Sequence, residues 1–357
     1  MPSTVKDSLL IEKLKVTKDK RGKNMSVNQK DDVYINDDSE FDFVDAYSDD
    51  IVEDTAELLP ENSAQSAIDV AFVGVGGGGG KLAKAFLDIG FNRTLLVNTT
   101  VKDQPEGIDP NNFLLIPGAD GVGKDVKLGK KILSENSTLV EDAVRARLGT
   151  PDWIFVLAGG GGGTGSGCSV LHDSLDRLLK SSNAAGRVVY VVSRPSSQEL
   201  LNTTIKSNYE AVLEDISDYP YIIIDNERQL NLLRNKVGML NLYPVANKNF
   251  AKLLAQVFKL AATHSDVQTF DTKDLEKCLS TPGRMVVGTT VIRDTSRRDL
   301  GAAVLSSCIN SSPCPTPPPK TKTGALLLVA TAEMASDPKV SKNLEAAFSY
   351  VGGRTDT

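Results

Sequence analysis

The sequence predicts an α/β fold: a parallel sheet covered by helices on both faces, a long central helix, and a smaller α+β unit after it. Three observations predict it. Short apolar runs alternate with helical stretches between residues 68 and 224. Two glycine clusters each follow such a run and open a helix. The chain has 357 residues, 40% hydrophobic and 24% charged, an ordinary globular balance at a length that allows two domains.

The elements follow in order. Residues 1–66 carry a net charge of −8, basic from Lys6 to Lys23 and acidic from Asp31 to Glu61, without strong apolar periodicity. They read as a disordered or weakly helical leader, either a solvated tail or a docking segment. Order is expected from Ala67. Ile68–Val73 reads as a buried strand closed by glycine, and Leu82–Ile89 as a helix. Thr94–Val97 and Phe113–Ile116 read as strands, Lys127–Leu148 as helical, Trp153–Leu157 as a strand and Val170–Leu179 as a helix. Val188–Val192 and Tyr221–Ile224 are further strands. The spacing of Phe250, Leu253, Leu254, Val257, Phe258 and Ala261 gives a long amphipathic helix, expected over 247–268. A second unit is expected over 269–357, its texture changing after Thr281-Pro282-Gly283. It holds a helix near Leu300–Ile309, a Pro-rich loop at Pro313–Pro319, a strand at Ala325–Val329 and a helix at Val340–Tyr350.

Composition removes several function classes. No apolar run approaches the roughly 18–20 residues of a membrane span, and the charged first thirty residues hold no secretory signal. Four cysteines show no CxxC pair, and only His172 and His264 are present, which argues against a disulfide framework, a zinc site and Ser-His catalysis. Residues 67–357 carry +2, so no global charge calls for nucleic acid.

Thirteen of the 29 glycines lie in the two clusters: Gly74 with Gly76–Gly80, and Gly159–Gly163 with Gly165 and Gly167. Glycine lets backbone N–H groups approach an anion, and a helix N-terminus adds unpaired donors and a favourable dipole. Two such turns at neighbouring strand ends would hold a di- or triphosphate in the crevice of a Rossmann-like sheet. The first cluster, Gly74-Val75-Gly76-Gly77-Gly78-Gly79, satisfies GxGxxG. A dinucleotide site would then need a carboxylate near the end of the second strand, where the chain has Val97-Asn98-Thr99-Thr100. A Walker A loop also fails: Lys81 follows Gly80, but Val75 and Leu82 stand at its other positions. Tight turns in an α/β sheet remain an alternative for this cluster alone.

The second cluster is more specific. Gly161-Gly162-Gly163-Thr164-Gly165-Ser166-Gly167 resembles the GGGTGSG/GGGTGTG signature of the tubulin/FtsZ family of filament-forming GTPases. Other segments match that family in order. Gly74–Gly80 resembles its first phosphate loop. Gly121-Val122-Gly123, leading to Leu128-Gly129-Lys130-Lys131, is similar to its γ-phosphate loop, with Lys124 where glycine is usual. Arg194-Pro195 with Glu199 resembles the ribose segment, with Thr203 where an arginine is frequent. Asn226 and Asn247 resemble the two base-contacting asparagines; an amide donates and accepts at once, as the guanine edge requires. Thr269-Phe270-Asp271-Thr272-Lys273-Asp274 resembles the N-x-D-x-x-D catalytic loop, with Thr269 in place of asparagine. Without the resemblance, two Asp at that spacing read as a helix cap.

The resemblance covers about 67–355 and implies a Rossmann-like GTPase domain over 67–246, the central helix and a second domain. The family's second domain usually has further strands after a helix like the one ending near Tyr350, so the chain is expected to be a fragment or a divergent member: prokaryotic, archaeal or phage. The implied function is a GTP-binding and GTP-hydrolysing cytoplasmic protein that polymerises head to tail. GTP, with Mg²⁺, is implied to lie on Gly77, Gly78, Gly79, Gly80, Lys81, Gly121, Gly123, Gly162, Gly163, Thr164, Gly165, Ser166, Gly167, Glu199, Asn226 and Asn247. Asp271 and Asp274 are implied to act on the GTP of the next subunit. The implied partner is the chain itself, without nucleic acid or membrane insertion. A polymerising scaffold with little hydrolysis is the alternative, motivated by Thr203 and Thr269. A dinucleotide-dependent oxidoreductase is a third reading, resting on GxGxxG alone.

Overall fold

The structure is a computed structural model that describes residues 17–18, 24–25, 66–184, 186–234, 236–263, 270–291, 296–297, 299–317, 321–329 and 336–353. Residues 1–42 and 43–357 form separate compact units. In the first, Thr17–Lys18 pairs antiparallel with Asn24–Met25. Most of the expected leader, and Thr269, lie outside the described residues.

The second unit is built on a seven-stranded sheet, with strands β1 (Val70–Val75), β2 (Thr94–Asn98), β3 (Phe113–Leu115), β4 (Trp153–Gly159), β5 (Val188–Arg194), β6 (Pro220–Asp225) and β7 (Gly283–Met285). Their spatial order is β3-β2-β1-β4-β5-β6-β7, and every neighbouring pair is parallel. The chain reverses direction across the sheet between β1 and β4, the switch point where open α/β sheets bind ligands.

Successive residues of a strand face opposite sides, and both sides are buried. Val73, Val75, Ile154 and Val156 pack under α2 (Val126–Glu135), α3 (Ser137–Leu148), α4 (His172–Ser181) and α5 (Thr203–Ile216). Phe72, Phe155, Leu157 and Val191 pack on the other side, under α1 (Gly76–Asp88), which follows β1 directly. Helix α6 (Asn226–Leu233) leads to α7 (Leu242–Leu260), which joins α1 on that side. Phe72 stacks on Phe86 of α1 at 4.0 Å between ring centroids, and Phe155 meets Phe258 of α7 edge-on at 5.5 Å. Helix α8 (Thr272–Ser280) closes the layer through Leu275 and Leu279. Helices α9 (Leu300–Ser311) and α10 (Pro338–Gly352) pack so closely that a Cβ on Gly301 would lie 2.8 Å from Ala347 Cα.

The structure departs from expectation in five places. Helix α1 begins at Gly76 rather than Leu82. Residues 127–148 form two helices broken at Asn136, which ends one and starts the next and returns its amide to Ile132 O at 2.8 Å. Helix α7 starts at Leu242, so Asn247 lies in its second turn rather than opening it. The segment after Pro282 adds strand β7 to the main sheet before any second unit begins. Residues 325–329 are irregular: an apolar run becomes a strand only beside a partner ladder, and no described strand pairs with it.

Candidate functional site

Both glycine clusters lie at the C-terminal ends of β1 and β4, the two central strands, and they touch. Among the described residues, no side chain caps helix α1 at its N-cap, Val75. Its first turn is all glycine, a poor helix former, and packing explains why. A Cβ on Gly79 would overlap the Leu157 carbonyl oxygen. Gly76, at φ +72°, would place a Cβ 2.8 Å from Gly165 N. Gly165 is hemmed in likewise, with Gly159 O at 2.7 Å and Val75 O at 3.3 Å from its Cβ position. Gly163 faces Val122 Cγ2 at 2.7 Å, and Gly167 faces Lys130 N at 2.9 Å.

Gly162 differs. It precedes the single helical turn Gly163–Ser166, is exposed, and has nothing within 4 Å of its Cβ position. Gly77 is half-buried and Gly78 exposed, whereas Gly79 and Gly80 are buried. Lys81 is exposed on α1. The sixteen-residue expectation therefore divides: Gly162 lines open space, a Cβ on Gly77 would meet the Asp103 carboxylate at 2.8 Å and one on Gly78 would meet Gly159 Cα at 3.2 Å, and Gly79, Gly163, Gly165 and Gly167 let backbones meet.

A third loop closes on these two. Gly121 and Gly123 both adopt left-handed conformations, at φ +83° and +57°. Gly121 N donates to Thr99 O at 2.8 Å, and Gly163 N donates to Gly123 O at 3.1 Å. Thr164 Oγ1 lies 3.0 Å from Thr99 Oγ1. Asn208, on α5, donates its amide to Lys124 O at 2.9 Å and to Gly161 O at 3.2 Å, clasping the third loop to the second. Ser166 Oγ is fully buried and has no hydrogen-bond partner among the described residues. On the rim, Asp120 accepts from Lys102 Nζ at 2.7 Å and Thr100 Oγ1 at 2.9 Å, and these bonds hold its carboxyl below the usual range.

Beside the loops lies a more polar corner. Glu199 accepts from Ser196 N and Oγ at 2.8 and 2.9 Å, and Glu227 accepts from Ser197 N at 3.1 Å. Arg194 pairs with buried Asp225 at 2.6 Å, and Asp225 caps α6, whose first residue is Asn226. Gln229 of α6 donates to Ala246 O at 3.3 Å, setting the helix that carries Asn226 against the turn that carries Asn247. Tyr243 lies four residues before Asn247, on the same face of α7. Burial raises its phenol pKa first, and the charges of Glu199 and Glu227 add to the rise.

Asp271 and Asp274 stand elsewhere. Asp271 caps α8, accepting from Lys273 N at 2.8 Å and Asp274 N at 3.0 Å, and Asp274 accepts from Asp271 N at 3.3 Å. This reciprocal cap holds two exposed carboxylates. Thr272 Oγ1 reaches Ala67 O, just ahead of β1, so the pair sits where the strands begin. The glycine loops sit where they end, one strand length away, about 20 Å.

No protein-family model matches the chain. The curated protein "Cell division protein FtsZ 2" of Methanocaldococcus jannaschii is 27% identical over 253 residues, 69% of this chain and 62% of that protein. The chain is similar to this FtsZ protein, and the solved structures of FtsZ-like and TubZ-like proteins share its fold. Two solved structures share its fold at 21% identity. CetZ from Methanosaeta thermophila matches with a TM-score of 0.55 over 70% of each chain. A GTPγS-form protofilament of TubZ from Bacillus thuringiensis serovar israelensis matches with 0.57 over 73% of each. The chain spans about three-fifths of the curated relative's length.

Sequence reasoning missed Tyr243, Asn208 and Asp103, whose carboxylate lies against Gly77. Tyr243 had a signal, its i,i+4 spacing to Asn247, hidden because the helix was started too late. Asn208 and Asp103 carried none, since each acts on a loop distant in sequence.

Proposed function

We propose that this chain binds and hydrolyses GTP and polymerises head to tail, with Asp271 and Asp274 completing the site of the next subunit. One observation carries the reading. The glycine loops lie at one end of the sheet and the two carboxylates at the other, so one chain cannot bring both to a single phosphate. Stacking a second copy along the strand direction does so, and a heterologous contact that does not close gives a filament. The names of the relatives, a division protein and a GTPγS-form protofilament, agree with it.

GTP fits the residues present. The open space over Gly162 suits a phosphate, beside backbone N–H groups and the start of α1, which the described residues leave without a side-chain cap. Asn226 and Asn247 would meet the base edge and Tyr243 its face. Glu199 would accept from the ribose. The described residues hold no cluster of three or more metal-ligating side chains, so Mg²⁺ would be shared between phosphates and a single carboxylate. When bound, the ion neutralises charge developing on the phosphates. Asp271 and Asp274 would orient the attacking water and accept its proton.

The site is thus assembled by polymerisation, and hydrolysis should follow it. The test is phosphate release and light scattering against protein concentration with GTP. Release should rise more steeply than linearly and together with scattering; a linear dependence at all concentrations refutes the shared site. A second reading, a scaffold that polymerises but hydrolyses little, is favoured by Thr203 and Thr269, which stand where the resembled family has an arginine and an asparagine. Scattering without release identifies it. We assign the chain to the cytoplasm; no helix among the described residues is long and apolar enough to cross a membrane.

A further inference from the structure

We propose that the cavity between helices α2 and α5 binds a phosphate ester, at a site separate from the glycine loops. The cavity holds about 640 Å³, within the roughly 300–1,000 Å³ of small-molecule sites. None of the described residues that line it belongs to either glycine cluster. The sequence builds it from two facing helix surfaces. Lys127 and Lys130 are three residues apart on α2, and Thr204, Ser207 and Ala211 recur at helical spacing on α5, so each set shares one face. Lys124, in the loop ahead of α2, adds a third ammonium group. Buried Asn208 of α5 donates to Lys124 O at 2.9 Å and so holds that loop against α5.

Charge and donor type select the ligand. Asp125 is the one carboxylate among the described lining residues, and it caps α2 through Leu128 N at 3.0 Å. Lys130 is paired with Asp215 at 2.6 Å. Lys124 and Lys127 are exposed and form no ion pair among the described residues, so two ammonium groups are left for a ligand. Thr204 and Ser207 add hydroxyl donors opposite them. Lysines and hydroxyls without an arginine suit a phosphate: an ammonium acts as a point charge, and tetrahedral oxygens accept from several directions. Planar carboxylates are matched instead by the arginine fork. A phosphate ester also brings nearly two negative charges at neutral pH. Inorganic phosphate would leave most of the volume empty, and Val122, Val126 and Ala211 form an apolar wall beside the charges. The ligand is therefore a phosphate joined to an organic body.

The experiment titrates the full chain by calorimetry with fructose 1,6-bisphosphate, a probe that has phosphate esters and no base. One molecule should bind per chain, and saturating GTPγS should leave that binding in place. Replacing both lysines, Lys124→Ala with Lys127→Ala, should weaken it about tenfold or more. Lys131→Ala, on the same helix but outside the lining, should leave it unchanged. Citrate, whose charge sits on planar carboxylates, should bind about tenfold more weakly than the probe. Thermal melting shows that each variant folds; all three lysines are exposed. No binding of the probe, parental affinity in the double variant, an equal loss in Lys131→Ala, displacement by GTPγS, or citrate bound as tightly each overturns the proposal. A chain that binds the bisphosphate through these lysines but binds no GTPγS leaves this site standing and removes the nucleotide reading instead.

Discussion

Gly162→Ala and Gly165→Ala should separate binding from folding within one motif. The two glycines are three residues apart, and their surroundings differ. At Gly165 a new Cβ meets Gly159 O at 2.7 Å and Gly159 N at 3.1 Å, and backbone atoms of a central strand cannot yield as a side-chain tip can. Overpacking of this kind costs about 1–3 kcal/mol. In domains of roughly 150–250 residues each kcal/mol moves Tm by about 2–4 °C, so Gly165→Ala should melt several degrees early. At Gly162 the Cβ meets nothing within 4 Å, and its φ of −91° and ψ of 164° suit alanine, so Tm should hold. That Cβ enters the space a phosphate would occupy. Losing one charge-assisted hydrogen bond there removes about 1.5–3 kcal/mol, or roughly 10–150-fold in affinity. Thermal melting and a GTP titration read the two effects separately. Parental affinity in Gly162→Ala would mean that the open space is not the phosphate cradle. A parental Tm in Gly165→Ala would mean that the contact of the two loops is not a constraint.

Three further outcomes are expected. Asp271→Asn keeps a side chain of equal capping rank and removes the charge, so Tm and GTP affinity should hold while phosphate release from assembled protein falls about 100-fold; unchanged release would remove that carboxylate from the mechanism. Tyr243→Ala should weaken GTP binding by about five- to tenfold through lost stacking and leave inorganic triphosphate binding untouched, read by paired titrations. His172 is half-buried, stacks on Tyr219 at 3.7 Å and shares a hydrogen bond with the Tyr190 hydroxyl, and burial lowers its pKa despite Asp173 and Asp176 nearby. The unfolded chain therefore takes up its proton first. Stability is fully present above about pH 6.5 and is lost as pH falls toward the native value, at no more than about 1.4 kcal/mol per pH unit. Melting curves of His172→Asn should be flatter than those of the parent over that window.

Much of the fold was legible because buried parallel strands write themselves as short apolar runs. Each of the six runs expected between residues 68 and 224 became a strand within a few residues. The errors fell where a neighbour decides. Gly283–Met285 is a strand only because β6 offers its edge, and the more apolar Ala325–Val329 is not one. The start of α1 was missed because five glycines argue against a helix by propensity, whereas the packing of Gly79 on Leu157 requires glycine at that point.

The site was legible in a more limited sense. A run of glycines states that side chains are not tolerated, and two unrelated causes produce it: a ligand that must come close, or another backbone that already has. Gly165 and Gly163 belong to the second cause, and under the proposed function Gly162, with its open surroundings, would belong to the first. Both causes would then act together, because the loops could offer their N–H groups to one phosphate chain only if their backbones first touch. The same duality holds at Asp271 and Asp274. The bonds that cap α8 also fix the orientation of two exposed carboxylates, and a fixed carboxylate can complete a site on another molecule without an ordering cost when the two meet. Capping and catalysis are therefore not competing explanations of that pair: the cap is what would make a trans site ready before its partner arrives.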